Sequence, residues 1–266
     1  MSHEEHSKKV ALITGASSGI GKEVARLHAS RGGDLVLVAR SADKLAEIAA
    51  ELQGSHGVRV TVVAKDLVQP NAPEEVYDAV KAAGIEVDYL VNNAGFGGQG
   101  AFHERRWADD LSMIQLNVVA LSALTRLFLP DFVARGSGRI LNVSSTASLM
   151  AGPLQAVYYA TKAYVTSFSN AIAEELRGTG VTVTALLPGA TETEFARAAE
   201  MDKTPLFANN KLASAATVAR AGYEGMLAGK LDVIAGVTLG QRVLLSAVPF
   251  TPKRVLLRQI HVMQKR

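Results

Sequence analysis

VALITGASSGIG, residues 10–21, joins a short apolar run to three closely spaced glycines. The run Val10–Ile13 is too short for a helix but suits a strand buried on both faces, and a helical pattern begins directly after the glycines. At such a junction glycines let the chain turn with positive φ, so that backbone N–H groups and a helix N-terminus can face a pyrophosphate. The stretch therefore predicts a dinucleotide-binding turn. The alternative is that Gly15, Gly19 and Gly21 only make a tight turn.

The rest of the chain continues this alternation of strands and helices. Seven strands separated by helices predict a parallel sheet covered on both faces, and 266 residues suit a single domain. Ligands bind such sheets beyond the carboxyl ends of the strands. The predicted strands are Val10–Ile13, Leu35–Ala39, Val58–Ala64, Tyr89–Asn92, Arg139–Val143, Val181–Leu187 and Asp232–Ala235. The predicted helices are Gly21–Ser30, Ala42–Gln53, Glu74–Ala83, Ala108–Val133, Val157–Arg177 and Ser214–Ala228.

The composition excludes several kinds of site and partner. The chain has no cysteine, which rules out disulfides, thiolate metal sites and cysteine nucleophiles. His28, His56 and His103 have no acidic partner at ligand spacing, so we interpret them as packing or surface residues and predict no metal site. A net charge of +3 is too small to indicate nucleic acid. The polar N-terminus leaves no room for a signal peptide and no apolar run reaches the roughly 18 residues of a membrane span, so we expect a cytoplasmic protein.

The end of the chain has a composition of its own. From Val233 to Arg266 it carries six basic residues and no acidic one, mixed with Leu, Val, Phe and Ile. Residues 237–266 therefore form a basic, apolar-rich extension to a core of about residues 8–236. The extension could cover the domain, pack on another subunit or, as the less favoured alternative, lie on an anionic membrane surface.

A series of short motifs runs in order over about residues 8–235. The motifs are Thr14-Gly15-x-x-x-Gly19-x-Gly21, Asp66-Leu67, Asn92-Asn93-Ala94-Gly95, Asn117, Asn142-Val143-Ser144-Ser145, Tyr158-x-x-x-Lys162 and Pro188-Gly189-x-x-x-Thr193. In this combination the chain resembles the short-chain dehydrogenase/reductase family. The resemblance implies a Rossmann-type doubly wound fold, a nicotinamide cofactor, and a homodimer or homotetramer built on the long helices after strands four and five. The catalytic tetrad that it implies is Asn117, Ser145, Tyr158 and Lys162.

The implied tetrad describes a site for proton transfer. Residues four apart on a helix share one face about 6 Å apart, so Lys162 can lie near the Tyr158 hydroxyl. An ammonium about 5 Å away at an effective dielectric of about 20 stabilises a phenolate by roughly 3 kcal/mol, most of what lowering a tyrosine pKa from about 10 to 7 requires. We expect Tyr158 to act as general acid/base, with Ser145 hydrogen-bonding the same substrate oxygen. The family implies that Asn117 binds a water that links Lys162 to solvent.

The Tyr-x-x-x-Lys spacing also occurs at Tyr77 and Lys81. An alanine stands thirteen residues before Tyr77, whereas Ser145 stands thirteen before Tyr158. We therefore interpret Tyr77 and Lys81 as a solvated face of the third helix. Ser144 is the alternative serine after strand five, and the family spacing favours Ser145.

The end of the second strand, Ala39-Arg40-Ser41, bears on the choice between NAD and NADP. Family members that use NAD usually carry an acid at the position of Ala39, where it accepts hydrogen bonds from the adenosine ribose. Arg40 instead offers a planar guanidinium suited to a 2′-phosphate, with Ser41 as a second donor. We therefore predict NADP (NADPH) rather than NAD. Alternatively, Arg40 stacks on the adenine and Ser41 only caps the next helix.

The remaining cofactor contacts are implied by the resemblance. Asp66 would contact the adenine, Asn93 and Gly95 would line the cofactor floor, and Pro188 would open a loop or lid at Thr191–Asn210, which shows little periodicity. The implied cofactor-binding residues are Gly15, Ser17, Ser18, Gly19, Ile20, Gly21, Arg40, Ser41, Asp66, Leu67, Asn93, Ala94, Gly95, Tyr158, Lys162, Pro188, Gly189, Thr191 and Thr193.

The substrate is the least determined part of the prediction. Five apolar residues fall where the pocket walls should be, which indicates an apolar or amphipathic carbonyl compound, unless they close the lid against the core. These residues are Leu149, Met150, Phe195, Leu206 and Phe207. The sequence thus predicts an NADP-dependent oxidoreductase that interconverts a ketone or aldehyde and an alcohol. The alternatives are a non-catalytic NADP-binding redox sensor, an NAD-dependent alcohol dehydrogenase, and an epimerase or dehydratase.

Overall fold

The computed structural model describes residues 8–194 and 212–265. Its strands are β1 (Val10–Thr14), β2 (Asp34–Ala39), β3 (Val60–Ala64), β4 (Tyr89–Asn92), β5 (Gly138–Val143), β6 (Val181–Pro188), β7 (Thr191–Glu192), β8 (Ala213–Ser214) and β9 (Asp232–Ala235). Seven of them form one parallel sheet in the order β3-β2-β1-β4-β5-β6-β9. The strand order reverses between β1 and β4, which is the doubly wound Rossmann-type arrangement. The predicted fold and all seven predicted strands are confirmed, whereas the short pair β7–β8 was not predicted.

The helices alternate with the strands as predicted. They are α1 (Gly19–Ala29), α2 (Ala42–His56), α3 (Ala72–Ala82), α4 (Trp107–Ile114), α5 (Leu121–Arg135), α6 (Ala156–Glu175), α7 (Ala215–Leu227), α8 (Leu239–Ala247) and α9 (Lys253–Gln264). Helices α8 and α9 lie in the extension, where the sequence analysis predicted no helix.

Alternate residues of each strand supply two apolar cores, one on each face of the sheet. In β1, Ala11 and Ile13 belong to one core and Leu12 to the other. Helices α1, α2 and α7 cover the first face, and α3, α5 and α6 cover the second. Because both faces are covered, the strands read as continuous apolar runs. The carboxyl ends of the strands therefore stand at one edge of a rigid, buried scaffold.

Helices α4 and α5 are joined without a break by a π-helical turn at Gln115–Ala120. Such turns often accompany functional sites, and this one contains Asn117. By length and composition the helix Trp107–Arg135 could cross a membrane, which contradicts the expectation that no segment of this chain could. Met113 and Phe128 of this helix are nevertheless buried inside the domain, as in the core helix of a folded domain, so the helix is weak evidence for a membrane span.

The extension folds back over the domain. Thr238 and Gln241 cap the start of α8 reciprocally, with hydrogen bonds of 2.9 and 3.2 Å between the side chain of each residue and the backbone N–H of the other. On α9, Ile260 and Gln264 are each 1% exposed. Helix α9 therefore packs on the domain, whereas α8 has no buried residue, and the other two roles of the extension stay predictions.

Candidate active site

The predicted glycine turn links β1 to α1. Gly15 and Gly19 have φ values of +64° and +54°, where side chains are strained. A Cβ on Gly21 would lie 2.5 Å from the Gly15 carbonyl oxygen and closer still to the side-chain amide of Asn93. The N-cap residue Ser18 makes no side-chain capping hydrogen bond with the described residues. The first N–H groups of α1 are therefore available to an anion, as a pyrophosphate site requires.

Asn93 fastens this turn to the end of β4. Its side-chain amide donates to the carbonyl oxygens of Thr14 and Gly15, at 2.9 and 3.1 Å. Its backbone N–H donates to the Thr14 hydroxyl at 3.0 Å, as does that of Ala94. Asn93 therefore positions the backbone of the glycine turn in addition to lining the cleft beside it.

Three of the four implied tetrad residues meet on the wall of one cleft. Ser145 lies just after β5, and Tyr158 and Lys162 lie on the first two turns of α6. The Ser145 hydroxyl hydrogen-bonds the Tyr158 phenol. The Lys162 Nζ lies 5.9 Å from the centre of the Tyr158 ring and donates to the Val143 carbonyl at 2.8 Å. Ser144 also lines the cleft, but its hydroxyl donates to the carbonyl of Lys162 at 2.9 Å, and the choice of Ser145 stays a prediction.

Asn117, the fourth residue, lies behind the cleft wall. Its Nδ2 donates to the Phe96 carbonyl at 2.9 Å and to the Thr161 hydroxyl at 3.1 Å, and its Oδ1 accepts from the Phe96 N–H at 3.1 Å. A Cβ on Gly95 would lie 3.0 Å from that Oδ1 and 3.5 Å from the Lys162 Nζ. Asn117 thus holds the β4–α4 loop against α6, and the implied water relay to Lys162 stays a prediction.

Burial dominates the titration of Tyr158 and Lys162. Burial raises the pKa of Tyr158 well above its usual value, and the hydrogen bond with Ser145 only partly offsets this. Burial also lowers the pKa of Lys162 to about 8. The expectation that Lys162 supplies most of the lowering of the Tyr158 pKa is not met, because the Lys162 ammonium is itself buried and donates to the Val143 carbonyl.

The cleft has a volume of about 1440 Å³ and extends from the glycine turn to the tetrad. Gly19 and Gly21 are absent from its wall, and a Cβ on either residue would meet Thr193 or Asn93. The predicted residues that line the cleft are Gly15, Ser17, Ser18, Ile20, Arg40, Ser41, Asp66, Leu67, Asn93, Ala94, Gly95, Ser145, Tyr158, Lys162, Pro188, Gly189, Thr191 and Thr193.

The end of the cleft beside β2 is basic. Arg40 lines it and is exposed. The Ser41 hydroxyl accepts from the Lys44 N–H at 3.4 Å and so caps α2, which was the alternative interpretation of this residue. Lys44 and Lys65 also line this end and were not predicted; Lys44 pairs with Glu194 at 3.7 Å, and Lys65 pairs with Glu75. The only sequence signal for these two lysines was their position beside predicted cofactor contacts: Lys44 lies on the first turn of α2, just after Ser41, and Lys65 lies directly after β3, just before Asp66.

The other end of the cleft is formed largely by the extension. Of the predicted wall residues, Met150 lines the cleft and Leu149 does not. Phe195, Leu206 and Phe207 lie outside the described residues. The lining residues here that the sequence did not predict include the apolar or aromatic residues Ala147, Tyr159, Leu244, Leu245, Val248, Leu256, Ile260, Val262 and Met263, and the polar residues Gln155, Gln241, Thr251, Arg258, Gln259 and Gln264. The spacing of four between Leu256, Ile260 and Gln264 marks one helix face and was their sequence signal.

The residues set aside by the sequence analysis lie elsewhere. Tyr77 and Lys81 both hydrogen-bond Asp131, at 3.1 and 3.2 Å, and Tyr77 packs edge-on against Phe128. The face of α3 that carries them is therefore only partly solvated. His28 is buried and hydrogen-bonds the Tyr223 hydroxyl at 2.7 Å. Among residues 8–194 and 212–265, no group of three or more potential ligands forms a metal site.

Comparison with known proteins identifies the family. The family profile described as short chain dehydrogenase matches residues 9–204. This chain belongs to the short-chain dehydrogenase family. The very-long-chain 3-oxoacyl-CoA reductase of Homo sapiens is 36% identical over 193 residues, which cover 70% of this chain and 61% of that protein. The match therefore spans only about three fifths of the length of such curated relatives.

Solved structures of the family share the fold over most of this short-chain dehydrogenase. A short-chain dehydrogenase from Sphingobium yanoikuyae in complex with NADPH superposes with a TM-score of 0.82 and is 32% identical, over 91% of this chain and 93% of the other. A 7beta-hydroxysteroid dehydrogenase superposes with a TM-score of 0.84 and is 27% identical, over 95% of this chain and 96% of the other.

Proposed function

We propose that this short-chain dehydrogenase is an NADP-dependent oxidoreductase that interconverts a ketone or aldehyde and an alcohol. The observation that carries the proposal is the convergence of Ser145, Tyr158 and Lys162 on the wall of the cleft that begins at the glycine turn. The residues present fit a nicotinamide dinucleotide, because residues 15–21 leave no room for further side chains and α1 leaves its first N–H groups to a ligand.

The described side chains divide the proton chemistry between them. NADPH, held at the glycine turn, would supply the hydride for the carbonyl carbon. Tyr158 donates its proton to the carbonyl oxygen, and its raised pKa keeps it protonated at neutral pH. Ser145 hydrogen-bonds the same oxygen as negative charge develops there. In the reverse direction Tyr158 accepts the alcohol proton, and the Lys162 ammonium, charged below its pKa of about 8, stabilises the phenolate.

The basic end of the cleft supports NADP as the preferred cofactor. Arg40, Lys44 and Lys65 line this end, and Ala39 places no carboxylate where a ribose would need one. A 2′-phosphate binds such a site through charge-assisted hydrogen bonds. The Sphingobium short-chain dehydrogenase is a complex with NADPH. The NAD-dependent alternative would need an acidic residue at position 39, where this chain has Ala39.

The apolar end of the cleft supports an apolar or amphipathic substrate. Leu245, Leu256 and Ile260 of the extension lie there together with Met150. Pockets of this composition bind apolar ligands and use a few polar groups for orientation, here Ser145 and Tyr158. The relatives named for 3-oxoacyl-CoA and for hydroxysteroids are consistent with a large apolar carbonyl compound.

We also propose that the protein is a cytoplasmic homo-oligomer. Leu111, Val119 and Tyr164 are 41%, 47% and 41% exposed, on the helix Trp107–Arg135 and on α6. Exposed apolar side chains on helices that pack against each other indicate an interaction surface. Light scattering at micromolar concentration should give a multiple of the chain mass, and the mass of a single chain would contradict the proposal.

A panel of ketones and aldehydes, followed at the nicotinamide absorbance with NADPH and NADH in parallel, tests the proposed reaction. We expect turnover with NADPH. Tight NADPH binding without turnover of any compound would favour the redox sensor instead. Conversion of a substrate without net consumption of NADPH would favour an epimerase or dehydratase.

A further inference from the structure

Gln264 joins three separate segments of the chain at the substrate end of the cleft. It is the last residue of α9 and is 1% exposed. Its Nε2 donates to the Tyr159 hydroxyl at 3.0 Å, and its Oε1 accepts from the Gln155 Nε2 at 2.5 Å. Its backbone carbonyl accepts a hydrogen bond from the Gln99 side chain. The end of the extension is thus bonded to the start of α6 and to the β4–α4 loop.

The two side-chain partners of Gln264 flank the catalytic tyrosine. Gln155 is the N-cap residue of α6, and Tyr159 follows Tyr158 directly, with their ring centres 6.1 Å apart. Gln155 is 1% exposed and Tyr159 is 7% exposed. Hydrogen bonds between neutral groups are stronger when water is kept away from them. Gln264 is therefore linked directly to the helical turn that carries Tyr158.

The third contact rests on a loop that is itself anchored. Arg105 and Asp110 form an ion pair at 2.8 Å with side-chain exposures of 16% and 1%. The same guanidinium donates to the Gln99 carbonyl at 3.0 Å. Gln99 in turn donates to a carbonyl in the last turn of α9, where a helix leaves acceptors without intrahelical partners. The loop therefore presents a fixed donor to the end of α9.

The inner face of α9 covers the substrate end of the cleft. Leu256, Ile260 and Gln264 follow at intervals of four and so lie on one face of the helix. All three line the cleft. Two apolar side chains thus form a roof over the cavity, and the amide at the end of the same stripe bonds that roof to α6.

We propose that Gln264 is a positioning residue that fastens α9 as a roof over the substrate end of the cleft and thereby sets the affinity for substrates large enough to touch that roof. The kinetic consequence rests on the proposed oxidoreductase activity, whereas the fastening itself does not. Carbonyl compounds too small to reach Leu256 and Ile260 gain nothing from the roof. NADPH binds mainly at the glycine turn and Arg40, at the other end of the cleft, so its affinity is independent of Gln264.

An apolar replacement of similar length isolates the hydrogen bonds. Gln264→Met keeps helix propensity and approximate volume but removes both side-chain hydrogen bonds. The Oε1 of Gln155 already lacks a partner among the described residues, so this variant leaves the whole Gln155 amide unpaired while the roof is closed. Two neutral hydrogen bonds of ordinary net strength correspond to about a 30-fold change in the ratio of molecules with α9 packed over the cleft to molecules with α9 detached from it. Tyr159→Phe removes one of them and corresponds to about fivefold.

The experiment compares wild type, Gln264→Met and Tyr159→Phe, with Gln53→Met on the exposed surface of α2 as the matched control. Hydrogen exchange of residues 253–264 reports the fastening without any turnover. KM and kcat for a bulky apolar ketone and for acetone, together with the NADPH Kd, report its consequence. We expect Gln264→Met to speed exchange in α9 and raise KM for the bulky ketone by about 10- to 30-fold, with kcat changed far less. In Gln264→Met, the acetone kinetics and the NADPH Kd should match those of wild type. Gln53→Met should match wild type in every measurement.

Two results would overturn the proposal: wild-type protection of α9 in Gln264→Met, or an equal rise in KM for both ketones. If wild type reduces no ketone at all, the proposed activity is wrong, and the exchange of α9 still decides whether Gln264 fastens it. Gln264→Met could also speed hydrogen exchange throughout the sheet, which would mean that the whole domain is destabilised. In that case Tyr159→Phe, which removes only one of the two hydrogen bonds, is the test, and wild-type hydrogen exchange of α9 in Tyr159→Phe would refute the proposal.

Discussion

Gly21→Ala tests whether the glycine turn is held against β4 by close packing. The added Cβ would lie 2.5 Å from the Gly15 carbonyl oxygen and closer still to the Asn93 amide, and both neighbours are fixed. The Asn93 side chain holds the turn through hydrogen bonds of 2.9 and 3.1 Å to Thr14 and Gly15. Either the amide or the backbone of the turn must therefore move.

The magnitude follows from the groups that are displaced. Overpacking a rigid site costs roughly 1–3 kcal/mol, and each lost hydrogen bond adds about 1 kcal/mol. A total of about 3–5 kcal/mol lowers Tm by roughly 10 °C in a chain of this size. NADPH affinity should fall at least about tenfold, because backbone N–H groups that would face its pyrophosphate shift with the turn.

The assay is thermal unfolding with and without NADPH, together with NADPH titration. Gly54→Ala is the matched control, because no described heavy atom lies within 4 Å of the Cβ that it adds within α2. Alanine there should stabilise the protein by up to about 1 kcal/mol. Wild-type Tm and NADPH affinity in Gly21→Ala would refute the packing argument, and loss of stability in both variants would show that the effect is not specific to the turn.

Three further predictions concern the cofactor, the buried lysine and the extension. Arg40→Ala should raise KM for NADPH about tenfold or more and barely change KM for NADH, because it removes charge-assisted hydrogen bonds to the 2′-phosphate; an unchanged ratio of the two would overturn the NADP assignment. Burial lowers the pKa of Lys162 to about 8, whereas an unfolded lysine titrates near 10.4. Between these values the unfolded chain binds more protons, so the unfolding free energy contributed at Lys162 rises from pH 8 to pH 10, and urea titrations should show that rise in wild type but not in Lys162→Met. The full chain should not float with anionic vesicles, because the inner face of α9 is occupied by the domain; flotation that Arg254→Ala/Arg258→Ala abolishes would instead show lipid binding.

The sheet and the glycine turn could be predicted because their signals are local. Short apolar runs such as Val10–Ile13 mark strands buried on both faces, and Gly15 and Gly19 stand where positive φ is needed. The sequence could also predict that the catalytic side chains meet. Ser145 follows β5 at the carboxyl edge of the sheet, and Tyr158 and Lys162 lie on the first two turns of α6, the next long helix along the chain.

The roof could not be predicted because its contacts are between distant parts of the chain. Gln264 bonds Gln155, 109 residues away, and neither glutamine differs in sequence from a surface residue. The raised pKa of Tyr158 could not be predicted for the same reason, since the burial of its phenol arises from packing of the whole domain.

Tyr158→Phe tests the central claim most directly, because it removes one oxygen atom and keeps the ring that packs beside Tyr159. NADPH titration and ketone reduction are measured on the same preparation. Loss of the general acid should lower kcat by at least about 10²- to 10⁴-fold, with the NADPH Kd close to that of wild type. Wild-type turnover in Tyr158→Phe would show that the proton comes from another group and would contradict the account.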